Sequence, residues 1–223
     1  MFDNLIYFFN NPIELLYYLP VLLFSFALHE WGHAFAAHKN GDDTAKMLGR
    51  LTLNPFAHVD IVGLIFLLVC GFGWGKPVPI NPRNFKNYKK GMLWVSFAGV
   101  LCNLALMVAA VLLFAGVLLF APNLIHNEPL KSIFGYLVGI NLALFIFNLL
   151  PIPPLDGSKI VETLFARWLP QGYRNFMNRY GRFVMFGVLF LLIQLGVFTF
   201  IFDFASDVVF GSIELLLKAM LGI

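Results

Sequence analysis

The residues with the clearest chemical potential are His29, Glu30 and His33, in the run Leu28-His29-Glu30-Trp31-Gly32-His33. On a helix, His-Glu-x-x-His sets two imidazoles one turn apart on one face, where both can hold a single Zn²⁺. Glu30 then lies beside the ion, placed to take a proton from water. Two histidines do not close a zinc site, so the pattern predicts a third protein ligand elsewhere in the chain. The competing reading is a histidine pair hydrogen-bonding across a helical bundle, with Glu30 as its partner.

The segment that carries these residues is apolar from about Ile13 to Ala37 and contains Pro20, which predicts a kink. Of the 223 residues, 60% are hydrophobic and 12% charged, a balance that points to an integral membrane protein. Ionisable side chains at bilayer depth are costly, and for that reason they are functional candidates. Further spans are expected at 92–121, 133–150 and 183–202, with 208–223 either a short span or an interfacial helix. Residues 61–74 are apolar but below the roughly 17 residues that a crossing helix needs, which predicts a re-entrant or interfacial segment. Alternation around Val78 and Ile80 predicts an edge strand, because Pro77 and Pro79 exclude a central one.

The expected fold is thus an all-α polytopic membrane protein. It has about five to six transmembrane or interfacial helices and a re-entrant or β-hairpin segment near 61–82. One domain is expected over 1–223, with the catalytic core at about 22–159 and C-terminal helices over 183–223. Cys70 and Cys102 read as inert buried thiols.

Charge sets the expected orientation. Of 15 basic residues, 8 fall in 38–90 and 5 in 159–182, so both stretches are predicted to face the cytoplasm. This holds only if 61–74 does not cross. The end of the His-Glu helix and the loop at Pro151-Ile-Pro153-Pro154-Leu-Asp156-Gly157 then share one side. Asp156 is the best candidate for the third ligand, being the only acid between Ile133 and Lys159 and following a proline-broken helix. An ordinary Asp-Gly turn is the alternative. His38, His58 and His126 read as surface or interface residues.

Three stretches together carry a resemblance: His29-Glu30-Trp31-Gly32-His33, Gly99-Val100-Leu101-Cys102-Asn103 and Asn148-Leu-Leu-Pro151-Ile-Pro-Pro-Leu-Asp156-Gly157. They resemble the signatures of the site-2 protease family, zinc metalloproteases that cut substrate helices within the membrane. The loops at 49–55 and 76–82 are similar to those of its compact prokaryotic members. The resemblance implies one Zn²⁺ per chain held by His29, His33 and Asp156, with Glu30 as general base. It implies that Asn148 assists at the active site and that Asn103 positions substrate. Val100 and Leu155 stand where other members often have proline, and no PDZ or CBS module is expected in this chain.

The function so implied is hydrolysis of a peptide bond in or near the membrane span of a protein substrate. The protein would be a multi-pass cell-membrane enzyme whose site opens to the cytoplasm. Its expected partners are the substrate and the lipid bilayer, with no nucleic acid and no stated oligomeric state. The alternatives are a metal ion transporter and a catalytically inactive membrane scaffold.

Overall fold

The structure is a computed structural model that describes residues 3–70, 73–197, 199–200, 203–204, 207, 211 and 215. It is built around three long helices. Helix α1 (Asp3–Asn10) leads into α2 (Pro12–Lys39), which carries the His-Glu pattern and has Pro20 in its interior. After the short α3 (Thr44–Met47) comes α4 (Ile61–Cys70), and then α5 (Tyr88–Phe120) and α6 (Glu128–Asn148). Helices α7 (Asp156–Leu164) and α8 (Gln171–Gln194) follow.

Local sequence explains the ends of these helices. The side chain of Asn87 accepts from Lys90 N–H at the start of α5, and that of Asn127 accepts from Leu130 N–H at the start of α6. Helix α6 stops at Asn148 because Pro151, Pro153 and Pro154 cannot continue it.

Helices α2, α5 and α6 are long and apolar enough to cross a membrane; α8, bent by 66° between Met177 and Arg179, makes a fourth if its halves form one span. Among the described residues these are three or four candidate spans, where five to six transmembrane or interfacial helices together were expected. Most of 201–223, where the last was placed, lies outside the described residues.

Contacts give the directions of the helices. His29 meets Asn103 and His33 meets Val95, so α2 and α5 run antiparallel. Glu14 meets Ser132 and Tyr136, and Ser25 meets Asn141, so α2 and α6 run parallel. The segment between α2 and α5 therefore leaves and rejoins the bundle at the same end. Within it, α4 has 10 residues, too few to cross. Its Leu64 and Leu67 pack on Val21, Leu22 and Ile140, below His29 along α2. The chain then doubles back, bringing Trp74 against Gly63.

The returning stretch corrects one expectation. Among the described residues there is no β-strand, and Val78 and Ile80 lie in irregular chain. Pro77 and Pro79 have no N–H to offer a ladder, and the N–H of Val78 is already bonded to Glu30.

Candidate metal centre

One face of α2 carries His29 and His33, and the first turn of α7 carries Asp156; these three are able to hold a metal ion. Together with Glu30 they are each 7% exposed or less. His33 Nε2 lies 3.0 Å from His29 Nε2 and 3.0 Å from Asp156 Oδ2, and His29 Nε2 lies 3.3 Å from the same oxygen. The structure thus brings the two histidines of the motif and the aspartate 123 residues downstream of His33 (156 − 33) to one point.

What surrounds the rings decides what these atoms are. His33 Nδ1 lies 2.7 Å from the carbonyl oxygen of Val95, which can only accept. Nδ1 therefore carries the hydrogen, and in the neutral ring Nε2 turns a lone pair inward. His29 Nδ1 lies 2.7 Å from Asn103 Oδ1, an arrangement of the same sense. Asp156 Oδ2 is buried and has no hydrogen-bond donor. Three acceptors facing one another without a hydrogen among them repel, and a cation removes the repulsion. Zinc bonds of about 2.0–2.1 Å in a tetrahedral site put neighbouring ligand atoms about 3.3 Å apart, close to the spacing here. The donor set and its spacing fit a zinc ion.

Asp156 is further fixed by Lys159, whose Nζ lies 3.1 Å from Oδ1 and leaves Oδ2 to the histidines. Gly99 on α5 admits the two rings: a Cβ there would lie 2.5 Å from His33 Nε2 and 2.7 Å from His29 Cε1.

The triad itself lines a cavity of about 110 Å³, whose walls also include Glu30, Pro77, Val78, Ile80, Asn148 and Pro154. Val78 N–H donates to Glu30 Oε2 across 2.9 Å, so residues 76–80 form a wall of the cavity. The wall is tied at both ends. Arg50 Nη2 donates to Lys76 O at 2.6 Å, and Lys76 N–H donates to His58 O at 2.8 Å. At the other end, Asn81 N–H donates to Asp42 Oδ2 at 2.7 Å.

The remaining residues singled out in the sequence fall in different places. Asn148 lines the cavity and donates one amide hydrogen to Leu144 O. Asn103 has no exposed surface, and its amide is engaged with His29, Ser25 and Asn141. It supports a histidine and is not part of the cavity lining. His38 pairs with Asp43 and His126 ends a turn at Pro122–His126, whereas His58, expected at the surface or interface, is fully buried with its Nε2 against Thr52 O. Sequence reasoning missed Lys159, Val78 N–H, Asp42, Ser25 and Asn141. For Ser25 a signal existed: it lies one turn before His29 and extends the polar stripe 25, 29, 33.

Comparison with known proteins gives the same reading. Residues 115–192 match Peptidase family M50. The chain is 44% identical over 197 residues to "Putative zinc metalloprotease YwhC" of Bacillus subtilis (strain 168), with 85% of each chain covered. It is 38% identical over 146 residues to "Putative zinc metalloprotease Rip2" of Mycobacterium tuberculosis (strain H37Rv), covering 63% of this chain and 54% of that protein. The Rip2 of Mycolicibacterium smegmatis is 34% identical over 150 residues, with the same coverage. No solved structure matches. With a buried His-His-Asp group whose histidines lie on a membrane-length helix and a relative matched over 85% of its length, the chain belongs to peptidase family M50, the site-2 protease family of zinc metalloproteases.

Proposed function

We propose that the protein hydrolyses a peptide bond within or near the transmembrane segment of a membrane-protein substrate, using one zinc ion held by His29, His33 and Asp156. The observation that carries this reading is the convergence of two imidazole nitrogens and an unpartnered carboxylate oxygen, 3.0–3.3 Å apart, with the histidines on a helix of membrane-spanning length. Zinc at such a triad supplies Lewis acidity to a substrate carbonyl and acidifies water towards a pKa of about 7.

The chain's own groups do the rest. Glu30 takes the proton of the attacking water on its carboxylate and returns one to the leaving amine nitrogen as the C–N bond breaks. The second amide hydrogen of Asn148 serves the oxyanion that forms on the substrate carbonyl. Asn103 acts through His29 and does not touch substrate. Because a helix's own backbone hydrogen bonds shield the scissile carbonyl, the substrate helix must unwind at the cut.

The basic stretches 38–90 and 159–182 adjoin the end of the bundle where the triad lies, which supports a site opening to the cytoplasm.

The test reconstitutes the protein in lipid with single-span reporters and compares it with Glu30→Gln. The wild type should bind one zinc and cleave; Glu30→Gln should keep the zinc and lose cleavage. Wild-type protein that holds zinc yet leaves a varied set of reporters intact would sink the intramembrane reading.

A further inference from the structure

Behind His29 lies a fully buried chain of polar groups with a definite direction. Asn103 Oδ1 faces His29 Nδ1 at 2.7 Å, and Asn103 Nδ2 lies 2.8 Å from Asn141 Oδ1 and 3.2 Å from Ser25 O. Asn141 Nδ2 in turn donates to Ser25 Oγ at 2.8 Å and to Leu137 O at 2.7 Å. Ser25, Asn103 and Asn141 have no exposed surface. They join α2, α5 and α6 at one level, one turn from the triad.

An amide side chain can be turned end for end, exchanging donor for acceptor, so its orientation must be fixed from outside. Here two backbone carbonyls fix it. Leu137 O only accepts, so the NH₂ of Asn141 must face it, and Asn141 Oδ1 is left pointing at Asn103. Ser25 O also only accepts, and with Asn141 Oδ1 it demands the NH₂ of Asn103. The single acceptor of Asn103 then faces His29. Turning either amide would set donor against donor or acceptor against acceptor among side chains with no exposed surface, at a cost of about 1–3 kcal/mol per unsatisfied group.

We infer that Asn141 is a positioning residue for the metal centre: acting through Asn103, it fixes the hydrogen of His29 on Nδ1 and so keeps the Nε2 lone pair aimed at the ion. Seven residues along the same helix is Asn148, which lines the cavity; Asn141 acts at a distance from it. His33 needs no such relay, because the carbonyl of Val95 dictates its tautomer directly. The inference rests on reading His29 as a zinc ligand.

The experiment measures zinc dissociation constants by chelator competition on the full-length, lipid-reconstituted chain for wild type, Asn141→Leu, Asn103→Leu and the double variant. Unfolding midpoints of the zinc-free proteins are taken alongside. Losing the partner of a ligating histidine typically weakens metal binding about 10–100-fold. Asn103→Leu should fall in that range and Asn141→Leu should weaken binding about 10-fold. The double variant should be no worse than Asn103→Leu, since both act along one path. If leucine at 141 prevents folding, Asn141→Ala removes the same amide and is read the same way. Wild-type affinity in the 141 variant, or losses that multiply in the double variant, would overturn the relay. Wild-type protein that binds no zinc would overturn the metal reading itself, a different result.

Discussion

Val78 N–H donates to Glu30 Oε2 across 2.9 Å, joining the carboxylate beside the triad to a backbone group 48 residues further along the chain. Val78 is followed and preceded by proline, so its N–H is the one backbone donor between Lys76 and Ile80. That donor is fully committed to the carboxylate proposed as general base.

Val78→Pro deletes this hydrogen bond. A hydrogen bond to a charged group contributes about 1.5–3 kcal/mol, so kcat should fall roughly 10- to 100-fold while zinc content stays at one per chain. Val78→Ala keeps the N–H and should retain most of the activity. Equal loss in both variants would show that the side chain matters and the N–H does not.

Gly99→Ala places a methyl group 2.5 Å from His33 Nε2. The imidazoles must shift, so zinc affinity should drop by at least 10-fold, and overpacking should cost about 1–3 kcal/mol of stability. Gly187→Ala meets no atom within 4 Å on α8 and should leave both quantities near wild type. Zinc titration and thermal unfolding of the two variants make the comparison.

Lys159→Met frees Asp156 Oδ1, which can then rotate towards the histidines in place of Oδ2. The Lys159 side chain is 42% exposed, so solvent screens the pair and its contribution is modest. Zinc affinity should weaken about two- to ten-fold. An unchanged dissociation constant would mean that the helix alone orients Asp156.

Asp42 supplies a pH test outside the spans. Burial would raise its carboxyl, but hydrogen bonds from Thr44, Asn81 and Asn84 outweigh that and lower it. A carboxylate lowered on folding stabilises the native state fully above its unfolded value of about 3.9, and that stability is lost as pH falls through the lower folded value. Asp42→Asn should therefore destabilise the protein at pH 7, and the gap to wild type should close as pH drops below about 4. Unfolding midpoints across pH 3–7 check the sign. A gap that widens towards acid would contradict it.

What could be read from the sequence was what is local or topological. His29, Glu30 and His33 are one turn of one helix, so helical period alone puts the imidazoles together. Asp156 was legible because prolines end α6 just before it and because positive charge put its loop on the side of His33. Asn103 was legible as part of a motif, but its work was not: whether it meets substrate or His29 depends on how α5 is rotated against α2. Asn141 gave no signal of its own, since one amide in an apolar span is ordinary helix-to-helix glue. The strand around Val78 failed for a different reason. Alternation suggested a strand, but with Pro77 and Pro79 on either side the N–H between them went to Glu30, and no ladder could form.

Helices α2 and α5 touch backbone to backbone at the height of the triad. A Cβ on Gly32 would lie 2.9 Å from Ala98 O, just as one on Gly99 would meet His33. Two rods seated this closely cannot roll or slide without collision, so the histidines stand on the stiff side of the site. The opposite side is residues 76–81, pinned by discrete hydrogen bonds from Arg50, His58, Glu30 and Asp42. Substitutions that cut those bonds should therefore loosen 76–81 while leaving the packing of α2 against α5, and with it the spacing of the histidines, as it is.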